Sequence, residues 1–257
     1  MMPVLLIALL VLTLSFPAHA AKRGDIFRQA KAATVLVVAV NDNTHSVSLG
    51  SGFFVSPDGF LITNAHVIEN HTRLFVYVRD RAVYPAPEVL AVDSERDLAA
   101  LRVRQAEAVA LALAAQTPTE GTEVMAVGYP RASDLLDLGF TLHSSIATGV
   151  VSDLVQFRTS KAGPEASFIV VPGVMNSGNS GGPLVRTDTG EVVGMVVTAV
   201  PYMEPVKDRK GNVIGSVKLR SGLSYSIPVP TIMNWLASVH LGAQLQPTPA
   251  RSTTPEA

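Results

Sequence analysis

From residue 32 onward the apolar positions fall in short, β-branched runs separated by turn residues, without the i, i+3, i+4 spacing of an amphipathic helix. The first such run spans 34–40 and stops at Asn41-Asp42-Asn43. The next, 50–55, meets Ser56-Pro57-Asp58-Gly59 and resumes at 60–63. Two apolar runs flanking Pro and Asp-Gly turn chemistry predict a β-hairpin. Further strands are expected at 73–78, 89–92, 99–103, 123–127, 148–152, 168–171, 192–200 and 223–228, with a second hairpin turning at 209–212. Many short strands with turns between them predict an all-β sandwich or closed barrel. Residues 106–115 are rich in alanine and leucine and fit a helix by propensity, but their place between two strands fits a loop equally well.

Two regions depart from the strand pattern. Ile232, Trp235, Leu236 and Val239 follow Pro230 at helical spacing, which predicts an amphipathic C-terminal helix packed on the strands. At the other end, residues 1–20 hold a short apolar core and an Ala-His-Ala ending. That arrangement reads as a signal peptide cut after Ala20, although no Lys or Arg precedes the core. A retained membrane anchor is the alternative, and the run is short for a full span. The expected organisation is a signal peptide at 1–20, an N-terminal segment at 21–31, a folded all-β domain at 32–242 and a disordered Pro/Thr/Ser tail at 243–257.

At 257 residues and 47% hydrophobic composition, the chain can bury a sizeable core. A net charge of −1 argues against nucleic acid or an anionic membrane as the main partner. There is no cysteine, so an exported protein of this sequence is stabilised without disulfides, and cysteine nucleophiles and thiolate metal sites are excluded.

Ser180 lies in Gly178-Asn179-Ser180-Gly181-Gly182-Pro183-Leu184, one hydroxyl among three glycines. Glycines there free the backbone and let peptide N–H groups approach a bound oxygen, as an attacking serine requires. Taken alone, the segment also reads as a glycine-rich turn. A serine nucleophile needs a base and the base an orienting acid. His66 follows the apolar run 59–62, and Asp97 opens the run 98–103. G-x-S-x-G is also met by Gly178, Ser180 and Gly182, but an α/β-hydrolase elbow would place the histidine after the serine and a helix directly behind it. The only histidine downstream is His240, and the chain beyond Gly182 is β-rich.

TNAHVI, DLAALRV and GNSGGPL, in that order, resemble the chymotrypsin-fold serine proteases, specifically the HtrA/Deg branch. The resemblance implies a two-barrel chymotrypsin-like fold with a C-terminal helix and a serine endopeptidase in which Ser180 attacks, His66 carries the proton and Asp97 orients the imidazole. It also implies an oxyanion hole made by the amides of Gly178 and Ser180. His45, His71 and His143 sit among polar loop residues, and Asp93 reads as a solvated turn residue. By the same resemblance the substrate pocket is lined by Met175, Asn176, Val197, Thr198 and Tyr225. No acid lies just upstream of Ser180, which predicts preference for small or medium apolar residues rather than Lys or Arg.

No metal or organic cofactor is expected. Polypeptides, chiefly unfolded ones, are the expected substrates, and the periplasm or the exterior the expected location. PDZ domains, which continue many relatives, do not follow the C-terminal helix in this sequence, so PDZ-mediated capture is not expected. Trimer formation is usual in the family and stays open here, since 21–31 offers only Ile26 and Phe27 as aromatic-apolar contacts. The segments 131–142 and 201–221 look longer than the family's loops. Alternatives on the same fold are a chaperone-like binding module with little catalysis and an esterase.

Overall fold

The computed structural model describes residues 18–78, 82–104, 107–132, 142–158, 165–173, 178–197, 201–207, 213–220 and 223–245. Helix α1 (Ala18–Ala33) precedes seven strands: β1 (Thr34–Asn41), β2 (Ser46–Phe54), β3 (Phe60–Thr63), β4 (Arg73–Val78), β5 (Ala82–Pro85), β6 (Glu88–Asp93) and β7 (Leu98–Arg102). A one-turn helix, α2 (Ala65–Ile68), follows β3. These strands form one antiparallel sheet in the order β5-β4-β1-β2-β3-β7-β6. A second sheet contains β8 (Glu123–Gly128), β9 (Ser145–Val150), β10 (Asp153–Arg158), β11 (Glu165–Pro172), β12 (Pro183–Arg186), β13 (Val192–Val197) and β16 (Leu223–Pro228), in the order β10-β11-β16-β13-β12-β8-β9. Each sheet curls into a half-barrel, as the all-β two-barrel expectation requires.

Alternate residues on the same strand enter different cores, as the two-residue period of a strand dictates. Phe54, Leu61, Ala99 and Leu101 join Val35, Val37 and Val76 inside the first sheet. Phe53, Phe60, Ile62 and Ala100 face the opposite way, into a cluster shared with Met125, Val127, Val185 and Met195 of the second sheet. The second sheet's own interior is filled by Val124, Ala126, Ile169, Leu184, Val193 and Val196. Strands buried on both faces carry no polar alternation, which is why these segments read as continuous apolar runs.

The C-terminal helix α3 (Val229–Ser238) starts just after Pro228, with Pro230 in its first turn, and buries Ile232, Trp235 and Leu236 in the shared cluster. A 3₁₀ turn at Gly242–Leu245 comes next, and Leu245 packs on that cluster. Helix α1 makes the segment 21–31 helical and part of the core, with Ile26, Ala30 and Ala33 buried on one face. Its end is tied to β1 by the Thr34 hydroxyl, which donates to the Ala30 carbonyl at 2.7 Å. Its exposed face is paired with the second sheet through Arg23 and Glu123 at 3.3 Å.

The alanine-rich stretch after β7 is a connection, held by single contacts such as Leu111 N–H to Phe54 O at 3.0 Å. Between β13 and β16 the chain forms an antiparallel pair, β14 (Pro201–Lys207) and β15 (Val213–Arg220), consistent with the second expected hairpin. Its turn at 209–212, the signal-peptide core, most of the 131–142 segment and the tail beyond 245 lie outside the described residues. Among the described residues no helix is long and apolar enough to cross a membrane.

Candidate active site

Strand pairing brings the first two candidate residues together. β3 and β7 are antiparallel neighbours with Thr63 opposite Ala99. The chain leaving β3 toward His66 and the chain entering β7 through Asp97 therefore lie at the same end of the sheet. Asp97 adopts a left-handed backbone, φ +58°, a conformation that aspartate tolerates better than most residues. This turns its carboxylate back onto α2. Asp97 Oδ1 accepts the His66 backbone N–H at 2.9 Å, and Oδ2 lies 2.8 Å from His66 Nδ1.

Asn64 and Asp93 hold that geometry. Asn64, fully buried, donates from Nδ2 to the Asp97 carbonyl at 2.9 Å. Asp93 accepts the Arg96 backbone N–H on Oδ1 at 2.9 Å and the Arg96 guanidinium on Oδ2 at 2.8 Å, closing the turn that delivers Asp97. Asp93 is thus not a solvated residue: its side chain is only 13% exposed. Burial pushes its carboxyl upward, but the hydrogen bonds and charge of Arg96 outweigh that and hold it below the ordinary carboxylate range.

Ser180 lies in the turn before β12, 4% exposed, and this turn is locked against the first sheet. Ser51 N–H donates to the Ser180 carbonyl at 2.7 Å, and the Thr63 hydroxyl donates to the Ser51 carbonyl at 2.7 Å. Gly181 has φ +83°, and a Cβ there would sit 2.1 Å from Ser51 O and 3.1 Å from Asn64 N. The residue after the serine therefore touches the chain two positions before His66. Gly178 has φ +98°, and a Cβ on it would meet Tyr129 O at 2.1 Å. Among the described residues the amides of Gly178 and Ser180 donate to no carbonyl. Beyond the serine turn the chain enters strand β12, not the helix of a nucleophile elbow.

The side chain of His66 is 44% exposed and that of Asp97 25%, so the imidazole meets solvent on the side away from its acid. His71 instead contacts the Ile68 carbonyl. Of the expected pocket residues, Val197 and Tyr225 are opposed in register on β13 and β16, and Tyr225 packs edge-on against Phe168 at 6.2 Å. The adjacent Ser224 hydroxyl donates to the Gly173 carbonyl at 2.8 Å. Met175, Asn176 and Thr198 lie outside the described residues. Among the described residues no group of three or more His, Cys, Asp or Glu is placed to hold a metal ion. Ser51 and Asn64 are the supporting residues that the motif reading did not single out; Asn64 lies within the motif Thr63-Asn64-Ala65-His66, and Ser51 in the predicted strand run 50–55.

A trypsin-like peptidase domain is recognised over residues 50–195. The chain is 32% identical over 196 residues to serine protease HTRA1 of Xenopus tropicalis, a match covering 74% of this chain and 36% of that protein. It is 31% identical over 194 residues to the mitochondrial serine protease HTRA2 of Bos taurus, again covering 74% and 36%. The match thus spans about a third of the length of these curated relatives. Among solved structures, the active form of a protease from M. tuberculosis superposes with a TM-score of 0.65 at 20% identity, covering 86% of each chain. A serine endoprotease from Yersinia pestis gives 0.61 at 23% identity, covering 84% of this chain and 66% of that one. Both likenesses concern the fold.

Proposed function

We propose, for a chain that belongs to the HtrA-type serine proteases within the trypsin-like peptidase family, that it is a serine endopeptidase acting through Ser180, His66 and Asp97. The observation that carries this reading is the double engagement of His66 by Asp97, backbone N–H and Nδ1 together, beside a serine turn packed on the same segment. With Nδ1–H donating to the carboxylate, Nε2 is left as the basic nitrogen. It takes the Ser180 proton as the hydroxyl adds to a peptide carbonyl, and then passes that proton to the leaving amine. Asp97 stabilises the imidazolium formed between these steps. Water repeats the cycle on the acyl-enzyme. The amides of Gly178 and Ser180, without carbonyl acceptors among the described residues, stabilise the oxyanion.

Substrates are polypeptides in extended or unfolded form, cleaved in an extracytoplasmic compartment after export. Val197, Tyr225 and the segments around them form the side-chain pocket, with a preference for small to medium apolar residues. The test is labelling with a fluorophosphonate probe. The protein incorporates the probe at Ser180, as located by mass spectrometry, and His66→Ala abolishes the reaction. Labelling that is slow and spread over several serines contradicts the assignment.

A further inference from the structure

One residue of the first sheet holds both residues whose amides are assigned to the oxyanion hole. Ser51, fully buried on β2, donates its backbone N–H to the Ser180 carbonyl at 2.7 Å. Its hydroxyl donates to the Gly178 carbonyl at 2.6 Å and accepts the Tyr129 backbone N–H at 3.0 Å. The first contact needs only backbone and serves any residue at that position. The second depends on the side chain.

Gly178 is the flexible member of the pair. At φ +98° and without a Cβ, nothing intrinsic fixes the rotation about its Cα–C bond. That rotation sets where the Gly178 carbonyl points relative to the Gly178 amide. With the carbonyl held by the Ser51 hydroxyl, and the hydroxyl itself oriented by the Tyr129 amide, that rotation is fixed, and the Gly178 N–H keeps only the rotation about its own N–Cα bond, which stands at φ +98°. Preorganised donors stabilise developing charge because they need no reorientation as the reaction proceeds.

We propose that the Ser51 hydroxyl is a positioning group for the oxyanion hole, acting through the Gly178 carbonyl without touching substrate. The proposal rests on the serine endopeptidase reading above and deepens it. It assigns to a buried strand serine the fine placement of a donor 127 positions away in sequence. Loss of the hydroxyl frees the Gly178–Asn179 peptide to turn about the Gly178 Cα–C bond, which loosens the Gly178 amide against the Ser180 turn and weakens transition-state stabilisation more than substrate binding.

The experiment compares wild type with Ser51→Ala, and Ser51→Thr with Ser51→Val, a pair of equal shape of which only threonine keeps a hydroxyl. Three quantities are read. The first is inactivation by a fluorophosphonate, resolved into its limiting rate and its half-saturating concentration. The second is kcat and KM on unfolded casein. The third is the low-field proton resonance of His66 Nδ1, which reports the His66–Asp97 contact independently of the hole. The expected result for Ser51→Ala is a fall of roughly 10- to 100-fold in the limiting rate and in kcat. KM changes by less than about threefold, and the low-field resonance is retained. Ser51→Thr is faster than Ser51→Val by a similar factor, and this pair decides the matter if the alanine variant does not fold.

A Ser51→Ala protein with the wild-type limiting rate overturns the proposal. So does equal loss in the threonine and valine variants, because that loss then comes from packing. If wild type and Ser180→Ala react alike, the endopeptidase reading itself fails, and Ser51 falls with it for a different and recognisable reason.

Discussion

Asp97 grips His66 at two points: Oδ1 takes the backbone N–H at 2.9 Å while Oδ2 faces Nδ1 at 2.8 Å. Only a carboxylate offers two acceptors in this arrangement. In Asp97→Asn the remaining oxygen is claimed by the backbone N–H, and the amide NH2 then faces Nδ1. The imidazole is driven into the tautomer with its proton on Nε2, where it cannot accept from Ser180. The expected outcome is a fall in kcat of about 10⁴-fold with a melting temperature close to wild type. Steady-state kinetics and thermal unfolding of the same preparation check it.

Asn64 acts one step further back, through the Asp97 carbonyl. Its hydrogen bond holds a residue in the left-handed region, where no glycine relieves the cost. In Asn64→Ala the half-buried Asp97 carbonyl loses its partner, at about 1 to 2 kcal/mol of stability. The turn at Asp97 relaxes, so kcat falls about tenfold while KM moves little, an effect of about 1.4 kcal/mol on the barrier. Chemical denaturation and kinetics together distinguish this from a purely structural loss, which lowers the amount of active protein but not kcat per active site.

Acid stability provides a separate check on the turn before Asp97. The Asp93 carboxyl is pulled below the ordinary carboxylate range by Arg96 against the opposing effect of burial. A lowered native value means that the unfolded state binds more protons as pH falls. The stabilisation is therefore complete above the unfolded value of about 3.9 and is lost as pH drops through the lower native value. Asp93→Ala is expected to be less stable than wild type by about 1 to 2 kcal/mol at neutral pH. The gap narrows only below about pH 4. Urea titrations at a series of pH values measure it.

The proposed specificity pocket lies around β13 and β16. Val197 and Tyr225 face each other in register, and no acidic residue lies just upstream of Ser180 to pair with a cationic side chain. Mass-spectrometric mapping of cuts in unfolded casein is expected to find Val, Ala and Leu before the scissile bond. Cuts mainly after Lys and Arg contradict this pocket assignment.

Much of the architecture was legible because strand cores betray themselves by composition. The hairpin of β2 and β3 was readable from Ser56-Pro57-Asp58-Gly59, and Val55 N–H does close on Phe60 O at 3.0 Å across it. His66 and Asp97 were readable because each sits at the end of an apolar run, where strand pairing is free to join them. Helix α1 was not, because Ala30 and Ala33, which it buries beside Ile26, carry too little apolar weight to mark a face. Asp93 looked like a solvated turn residue because its partner, Arg96, lies in the same polar stretch. Ser51 is the deepest case. A small hydroxyl in a strand reads as an ordinary position, and its partners Tyr129 and Gly178 meet it only once both sheets are assembled.

The most direct measurement is the rate of peptide-bond hydrolysis in unfolded casein by wild type and by Ser180→Ala at equal concentration. With Ser180 as nucleophile, the substitution lowers kcat by at least about 10³-fold while the protein stays folded. Equal rates for the two proteins contradict the assignment of Ser180, His66 and Asp97 as a catalytic unit.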